Sequence, residues 1–474
     1  MILHVNFLAR AHAGAAALVE DVLSALESAP AEPRTLARLR VHLDWVQYRQ
    51  NFREPVTVRR AVDSRGTPSP LVELAIDVRQ AKRDELPRAL AQALDRPPEH
   101  VALESFGPLH ASIIWGFNNL FWQHVAAWET VSGRPFEQVL PSGRSDANHP
   151  GAIADAVADF WTLLRDLEMR NQLPPEIFVL EIGVGTGERA AQWLDRFRQL
   201  DGERGRGFYA RLRFLLSDYS SRILDRAAQA VHGHQEISSF IALDALNPFK
   251  TLSFLRYKVL HVHLTNVYDN LPSDEMVRKD GRFFAVEARA YLPAAAAAAV
   301  AREFEVPLEE LARTVGKFLE VGPDYFPARR RGVEFWQAVW QAIRLEERLV
   351  ELEDLATARL PSGLSPIHIE ECVRDAPAEV RFHLSTGAVE SFLNTVPLLH
   401  PRGFLQVQDI FVTDMDEYGQ GFRGPGKLDG SVVNWVNGTL LREVGARAGY
   451  DVHFAPFHYR PGSRTKILYT TQRD

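Results

Sequence analysis

The sequence predicts an α/β protein built on a doubly wound sheet, with an α+β extension at the N-terminus and a helical insertion. Two observations carry that fold class. In residues 177–188, IFVLEIGVGTGE, an apolar run stops at three glycines in alternate positions, Gly183, Gly185 and Gly187, and gives way to helical spacing over 189–194. Downstream, short apolar runs follow at intervals, and each ends in polar residues, as strands do where a sheet opens onto a ligand crevice.

The first run, 177–180, reads as a buried strand that Glu181 and Ile182 close. Glycines there permit positive φ and let backbone amides come close to a ligand. The spacing restricts the ligand. A dinucleotide fingerprint needs its third glycine where this chain has Glu188, and a phosphate-binding P-loop needs Gly-Lys-Ser/Thr where it has Gly187-Glu188-Arg189. What fits is a cofactor with an adenosine and a charged amino-acid tail but no phosphate. The second strand, 212–216, ends in Ser217-Asp218-Tyr219, which puts a carboxylate at the Rossmann-like position that meets ribose hydroxyls. The third, 239–243, ends in Asp244, and the fourth, 257–264, runs out into Thr265-Asn266-Val267-Tyr268-Asp269-Asn270-Leu271-Pro272. Each has an ordinary alternative: Asp218 as a helix cap, Asp244 as a turn residue, Asp269-Asn270 as a plain loop. His261 and His263 lie inside the fourth strand and read as core histidines. The fifth strand, 403–408, ends in Asp409; a helix over 432–448 and two closing strands, 451–455 and 465–470, complete the sheet.

Four segments follow in the order 1–110, 111–292, 293–379 and 380–474. In the first, helices are expected over 15–26 and 35–48 and strands over 55–62 and 71–78; no chemistry is visible, and a structural or dimerising role, giving a homodimer, is its simplest reading. Residues 111–170 are aromatic and helical. Their loop 140–150 gathers polar residues and reads either as a lid, with Arg144 or His149 facing the ligand, or as a capped connection. In 293–370, helical spacing extends over 303–319 and 333–355. The stripe Phe335, Trp336, Val339, Trp340 and Ile343 is core or the underside of a cap over the strand ends, and Glu346, Glu347, Arg348, Glu351, Glu353 and Asp354 read as a solvated face. The glycine-rich stretch 421–427 reads as a loop at the substrate edge.

Composition narrows the function. A hydrophobic share of 46% and a charged share of 24% over 474 residues are ordinary for a globular enzyme. The net charge of −7 argues against nonspecific binding to nucleic acid. Cys372 is the only cysteine, so one chain builds no disulfide, no multi-cysteine zinc site and no four-cysteine iron–sulfur cluster; radical chemistry that needs such a cluster is excluded, and no metal is expected. The N-terminus lacks a basic start followed by a long apolar core, and no 18-residue apolar stretch occurs, so a cytoplasmic protein with no membrane association is expected.

The pattern Glu181-x-Gly183-x-Gly185-x-Gly187 resembles the first motif of class I S-adenosyl-L-methionine (SAM) methyltransferases. Together with Asp218-x-Ser220, Asp269-x-x-Pro272 and the 429–437 segment, it resembles the MidA-like methyltransferases, whose mitochondrial relatives act in respiratory complex I assembly. The resemblance covers roughly residues 115–292 and 380–474. It implies a seven-stranded Rossmann-like sheet with the last strand antiparallel and SAM as cofactor. It places Glu181, Gly183, Gly185, Gly187, Asp218, Tyr219, Asp244 and Asn266 at the cofactor, with Asp244 against the adenine amino group. The acceptor side falls to Asp269, to bind a cationic nitrogen or take a proton, and to Asn266 and Asn270, to orient the acceptor. In the family this fourth-strand motif reads approximately N-E-x-x-D-A-x-P. This chain has Thr265, Asn266 and Asn270 at the Asn, Glu and Ala positions, and so lacks the carboxylate that would pair with a protein guanidinium. The implied activity is methyl transfer to a nitrogen or oxygen of a protein or small molecule. The alternatives are a noncatalytic assembly factor that binds SAM or its product S-adenosylhomocysteine (SAH), and a nucleotide-dependent oxidoreductase.

Overall fold

Seven strands assemble into one sheet, the central ones mostly buried: β1 (Ile177–Ile182), β2 (Leu212–Asp218), β3 (Ser238–Ala242), β4 (Val259–Thr265), β5 (Leu399–Asp409), β6 (Tyr450–Pro456) and β7 (Lys466–Gln472). The computed structural model describes residues 101–473 apart from 141–144, 359 and 421–423. Of the first hundred it describes 2–5, 20, 21, 23, 24, 26, 39–43, 52, 54, 56–62, 68–76, 87, 88 and 100. The strands lie in the order β6-β7-β5-β4-β1-β2-β3. Neighbours among β1 to β5 pair in parallel, whereas β7 is antiparallel to both β5 and β6. The strand order reverses between β1 and β4, which opens a crevice at their carboxyl ends.

Helices cover both faces, so the protein is a mixed α/β fold. On one face α2 (Pro150–Met169) and α3 (Glu188–Arg204) bring Ile153, Phe160, Trp193 and Phe197 onto Ile177, Val179 and Phe214. On the other, α5 (Thr386–Thr395) and α6 (Gly438–Arg447) bring Val389, Phe392, Leu440 and Val444 onto Leu180, Val262 and Leu405. Such burial stabilises by roughly 1.5–3 kcal/mol per large side chain. The helix expected over 432–448 begins only at Gly438, because the Asn437 side chain accepts from the Leu440 amide and caps it; Ser431–Val433 is a strand instead.

A second sheet is antiparallel throughout. Arg344–Leu352 pairs with Arg282–Leu292, which pairs with Glu275–Lys279, which pairs with Val380–His383. This corrects the helix expected over 333–355. The helix Arg329–Ala342 stops, and the next nine residues form a strand in which Leu345 and Glu347 alternate inward. Glu347 is therefore not on a solvated face; it is buried against Arg381. A third, four-stranded sheet joins Ile2–Val5, Leu39–Leu43, Pro68–Ile76 and Val56–Val62 in that order. Its second strand replaces the helix expected over 35–48: Leu39–Leu43 runs parallel to Pro68–Ile76, so tertiary pairing overrides local spacing.

The aromatic stripe of 335–343 is core. Phe335, Trp336, Val339, Trp340 and Ile343 are fully buried and join the apolar face of α1 (Ile113–Ser132), with Trp128 against Trp336 at 4.6 Å and Phe117 against Trp340 at 5.7 Å. Among the described residues of 293–379, none lines the crevice at the strand ends. The covering element there is α1, which the stripe holds in place. Among the described residues, no helix is long and apolar enough to cross a membrane.

Candidate active site at the β1–β4 crevice

The turn from β1 into α3 is shaped by its glycines. Gly183, Gly185 and Gly187 all adopt positive φ, at 75°, 55° and 77°. A Cβ on Gly183 would lie 2.5 Å from the Val267 side chain, and one on Gly187 would lie 2.6 Å from the Ala227 Cα. Gly185 has nothing within 4 Å of that position, because it faces open space. The turn is tied to the end of β2: the amides of Gly183 and Val184 both donate to the Ser217 carbonyl, at 2.8 and 3.0 Å. Asp218 finishes the clasp, its carboxylate accepting from the Gly185 amide at 3.2 Å and the Ser220 amide at 3.3 Å. Burial pushes its carboxyl up to about 6.

A cavity of about 250 Å³ opens over this turn. Its floor is the glycine turn and the ends of β2, β3 and β4; its roof comes from α1, the turn Phe136–Val139 and residues 145–148. Glu181, Gly183, Gly185, Asp218, Tyr219 and Asp244 line it, as do Asn266 and Asn270. Gly187 and Asp269 do not, although the sequence expectation placed both at the ligand. Gly187 instead lets α4 (Ser221–Ala230) pack against the turn through Ala227.

Several candidates carry partners that redefine their roles. Glu181 is buried and bonded to Arg189 at 2.8 Å, a pair enclosed at the root of the turn. Burial raises its carboxyl from the ordinary value while Arg189 draws it down. Tyr219 is 41% exposed, and its hydroxyl accepts from Gln123 at 3.0 Å. Asp244 is exposed and accepts from the Leu246 amide at 2.9 Å, which is the turn alternative, yet it remains on the cavity wall.

The end of β4 corrects the expectation for Asp269. The short helical turn Tyr268–Asn270 swings its side chain inward beside Asp409, which accepts from the amides of Tyr268 and Asp269 at 2.9 and 3.2 Å. Burial, and then the Asp409 charge, push the Asp269 carboxyl well up, and the group sits behind the wall. What reaches the cavity is its hydrogen-bond partner. Asn270 donates through Nδ2 to Asp269 Oδ1 at 2.7 Å and to the Asn266 carbonyl at 3.1 Å, leaving Oδ1 buried and unpartnered. Asn266 holds φ at +51°, the left-handed region that asparagine adopts more readily than most non-glycine residues. His263 bonds Gln406 at 2.9 Å and the cavity residue Thr265 at 2.8 Å, while His261 stacks on Phe404 with ring centroids at 4.5 Å.

Three residues escaped the sequence reading. Asn118, buried within the apolar stripe of α1, donates to the Asn270 carbonyl at 2.8 Å and accepts from the Val432 amide at 2.8 Å, so it fixes the roof to the floor. Its one signal is a polar pair, Asn118-Asn119, inside an aromatic helix. Arg189 and Glu137, the latter on the turn Phe136–Val139, also line the cavity. Of the loop proposed as a lid, Arg144 lies outside the described residues; His149 caps α2 by accepting from the Gly151 amide, as the capped connection requires. Residues 421–423 of the glycine-rich loop are likewise outside them, and Gly426–Leu428 is a short strand. No metal-binding group of His, Cys, Asp or Glu occurs among the described residues.

Neither a family model nor a curated protein matches the chain. Solved structures do. A superfamily member and "likely methyl transferase" from Burkholderia thailandensis, bound to S-adenosyl-homocysteine, is 12% identical over 77% of this chain and 88% of its own, with a TM-score of 0.46. An uncharacterized protein of that superfamily from the same organism is 14% identical over 77% and 87%, with a TM-score of 0.39. An O-methyltransferase family protein, also from Burkholderia thailandensis, is 11% identical over 63% and 51%, with a TM-score of 0.26.

Proposed function

We propose that this chain is a class I SAM-dependent methyltransferase that transfers a methyl group to a nitrogen or oxygen acceptor of a protein or small molecule. The observation that carries the reading is the clasp at the switch point. A glycine turn with an open Gly185 face is bonded to a buried aspartate at the end of the neighbouring strand, and both open onto one cavity. The fit to SAM rests on that chemistry. Asp218 offers a carboxylate for ribose hydroxyls, and Asp244 and Leu246 border the space beyond it for a base. The turn beside them leaves no phosphate-binding lysine, and Glu188 stands where a pyrophosphate would need space.

When bound, SAM supplies an electrophilic methyl group on a sulfonium. The chain's own residues have then to align the acceptor and receive its hydrogens. Asn266 and Asn270 stand at the end of β4 for that purpose, where amide side chains on the cavity wall can exchange hydrogen bonds with an N–H or O–H of the acceptor. Asp269 is a positioning residue: it fixes the Asn270 amide so that the oxygen, and not the nitrogen, is left over. Thermal unfolding tests the reading. SAH at about 100 times its dissociation constant is expected to stabilise the protein by about 2.7 kcal/mol, with no shift from NAD or ATP. A shift with NAD and none with SAH would replace the methyltransferase by an oxidoreductase.

A further inference from the structure

The glycine-turn end of the cavity carries more negative charge than the described cations neutralise. Glu137 enters it from the turn Phe136–Val139, and the Thr186 hydroxyl donates to Glu137 Oε1 at 3.4 Å, which sets the carboxylate against the middle of the glycine turn. Glu188 stands close by, bonded among the described residues only to the neutral side chains of Asn148 and Gln192 at 3.0 and 3.2 Å. The described arginines near these acids are engaged elsewhere: Arg189 on Glu181 at 2.8 Å, Arg226 on Glu129 at 2.9 Å and Arg134 on Asp429 at 3.0 Å. Burial, followed by the Glu188 charge, raises the Glu137 carboxyl from its ordinary value, the mark of an acid without a counter-ion.

The layout of the cavity tells which cation belongs there. Its adenosine end is at Asp244 and Asp218, so an extended ligand running toward the end of β4 passes its amino-acid tail over residues 183–186. Glu181, the acid of the glycine motif, is already paired with Arg189. We propose that Glu137 binds the α-ammonium of the SAM amino-acid tail, an assignment that rests on the methyltransferase reading above and adds a cofactor-specificity residue to it. Thr186 orients the carboxylate, and Phe136 and Trp122 on the same wall limit the water that competes for it.

Calorimetric titration of the full chain with SAH and with desamino-SAH, which has hydrogen in place of the ammonium, tests this. The unsubstituted protein should prefer SAH by about 10- to 100-fold, the range that a hydrogen bond to a charged group supports. Glu137→Gln should weaken SAH by that factor while leaving desamino-SAH within about twofold, which also shows that the variant is folded. Glu188→Gln should weaken SAH less than Glu137→Gln does. Equal losses for both ligands, no loss for either, or an equal effect of Glu188→Gln would overturn the contact. If the unsubstituted protein binds SAH and Glu137→Gln changes nothing, only this assignment falls; if it binds no SAH, the methyltransferase reading falls and takes this one with it.

Discussion

Arg381 in the antiparallel sheet and Arg189 at the cavity are both buried, but the carboxylates around them are answered differently. Arg381 lies between Glu275 and Glu347, its Nε 2.9 Å from Glu275 and its Nη1 2.9 Å from Glu347, so two acids share one cation. At the cavity Arg189 answers Glu181 alone. Asp218 is held by backbone amides, Glu137 by a hydroxyl, and Asp269 by Asn270 beside a second buried acid, Asp409. In the second sheet both carboxylates are bonded to a buried guanidinium, and that triad fixes architecture. Asp218 and Glu137, which line the cavity and are held by neutral donors, keep capacity for a ligand that brings hydroxyls and positive charge, whereas Asp269 stays behind the wall.

The comparison breaks most visibly if Arg381 is removed. Arg381→Met removes the guanidinium that two buried carboxylates share and is expected to lower stability by about 3–5 kcal/mol in denaturant unfolding, with SAH affinity of the folded protein unchanged. A loss below about 1 kcal/mol would mean that the triad is not the structural element described.

Glycine substitutions sharpen the contrast within the turn. Gly187→Ala combines positive φ with a clash against the Ala227 backbone and is expected to destabilise by about 3 kcal/mol. Gly185→Ala meets only open space, so its stability loss should be about 1 kcal/mol, the φ strain alone, while its Cβ enters the cavity and weakens SAH. Thermal unfolding and calorimetry on the two variants check this. A Gly185→Ala protein with unaltered SAH affinity would place the ligand elsewhere.

Asp218 gives a smaller, pH-dependent effect. Its folded carboxyl, near 6, is raised above the unfolded value of about 3.9, so its protonation favours the folded state. That contribution is fully present below about pH 4 and is lost as pH rises through 6. Relative to Asp218→Asn, the apo protein should therefore lose about 2–3 kcal/mol of stability between pH 4 and 7, while SAH affinity rises over the same window as the carboxylate ionises to receive hydroxyls. A flat difference between the two proteins would show that Asp218 titrates like an exposed acid.

Much of the parallel core was legible because its signals are local: continuous apolar runs for strands buried on both faces, glycines where φ must be positive, and polar residues at strand ends. The Asp218 clasp follows from that spacing. What was hidden depends on partners distant in sequence. Nothing near 347 marks its pairing with Arg381, so a buried glutamate read as solvated and a strand as helix. Asp269, Asn266 and Asn270 were all expected at the acceptor from their position after β4, but the turn at 268–270 sets Asp269 beside Asp409 and leaves the two asparagines on the cavity wall, which only the backbone geometry reveals. Asn118 and Glu137 come from segments before the first core strand, and they reach the cavity because a helix anchored by Trp336 and Trp340 lies over it.

The central claim is that the clasp of Gly185 and Asp218 holds the ribose of SAM. Calorimetric titration of the purified protein with SAH, with Asp218→Ala alongside, addresses it most directly. Micromolar binding that the substitution weakens by about 1–3 kcal/mol is the predicted result. Equal affinity of the two proteins, or no SAH binding by the unsubstituted chain, would contradict it.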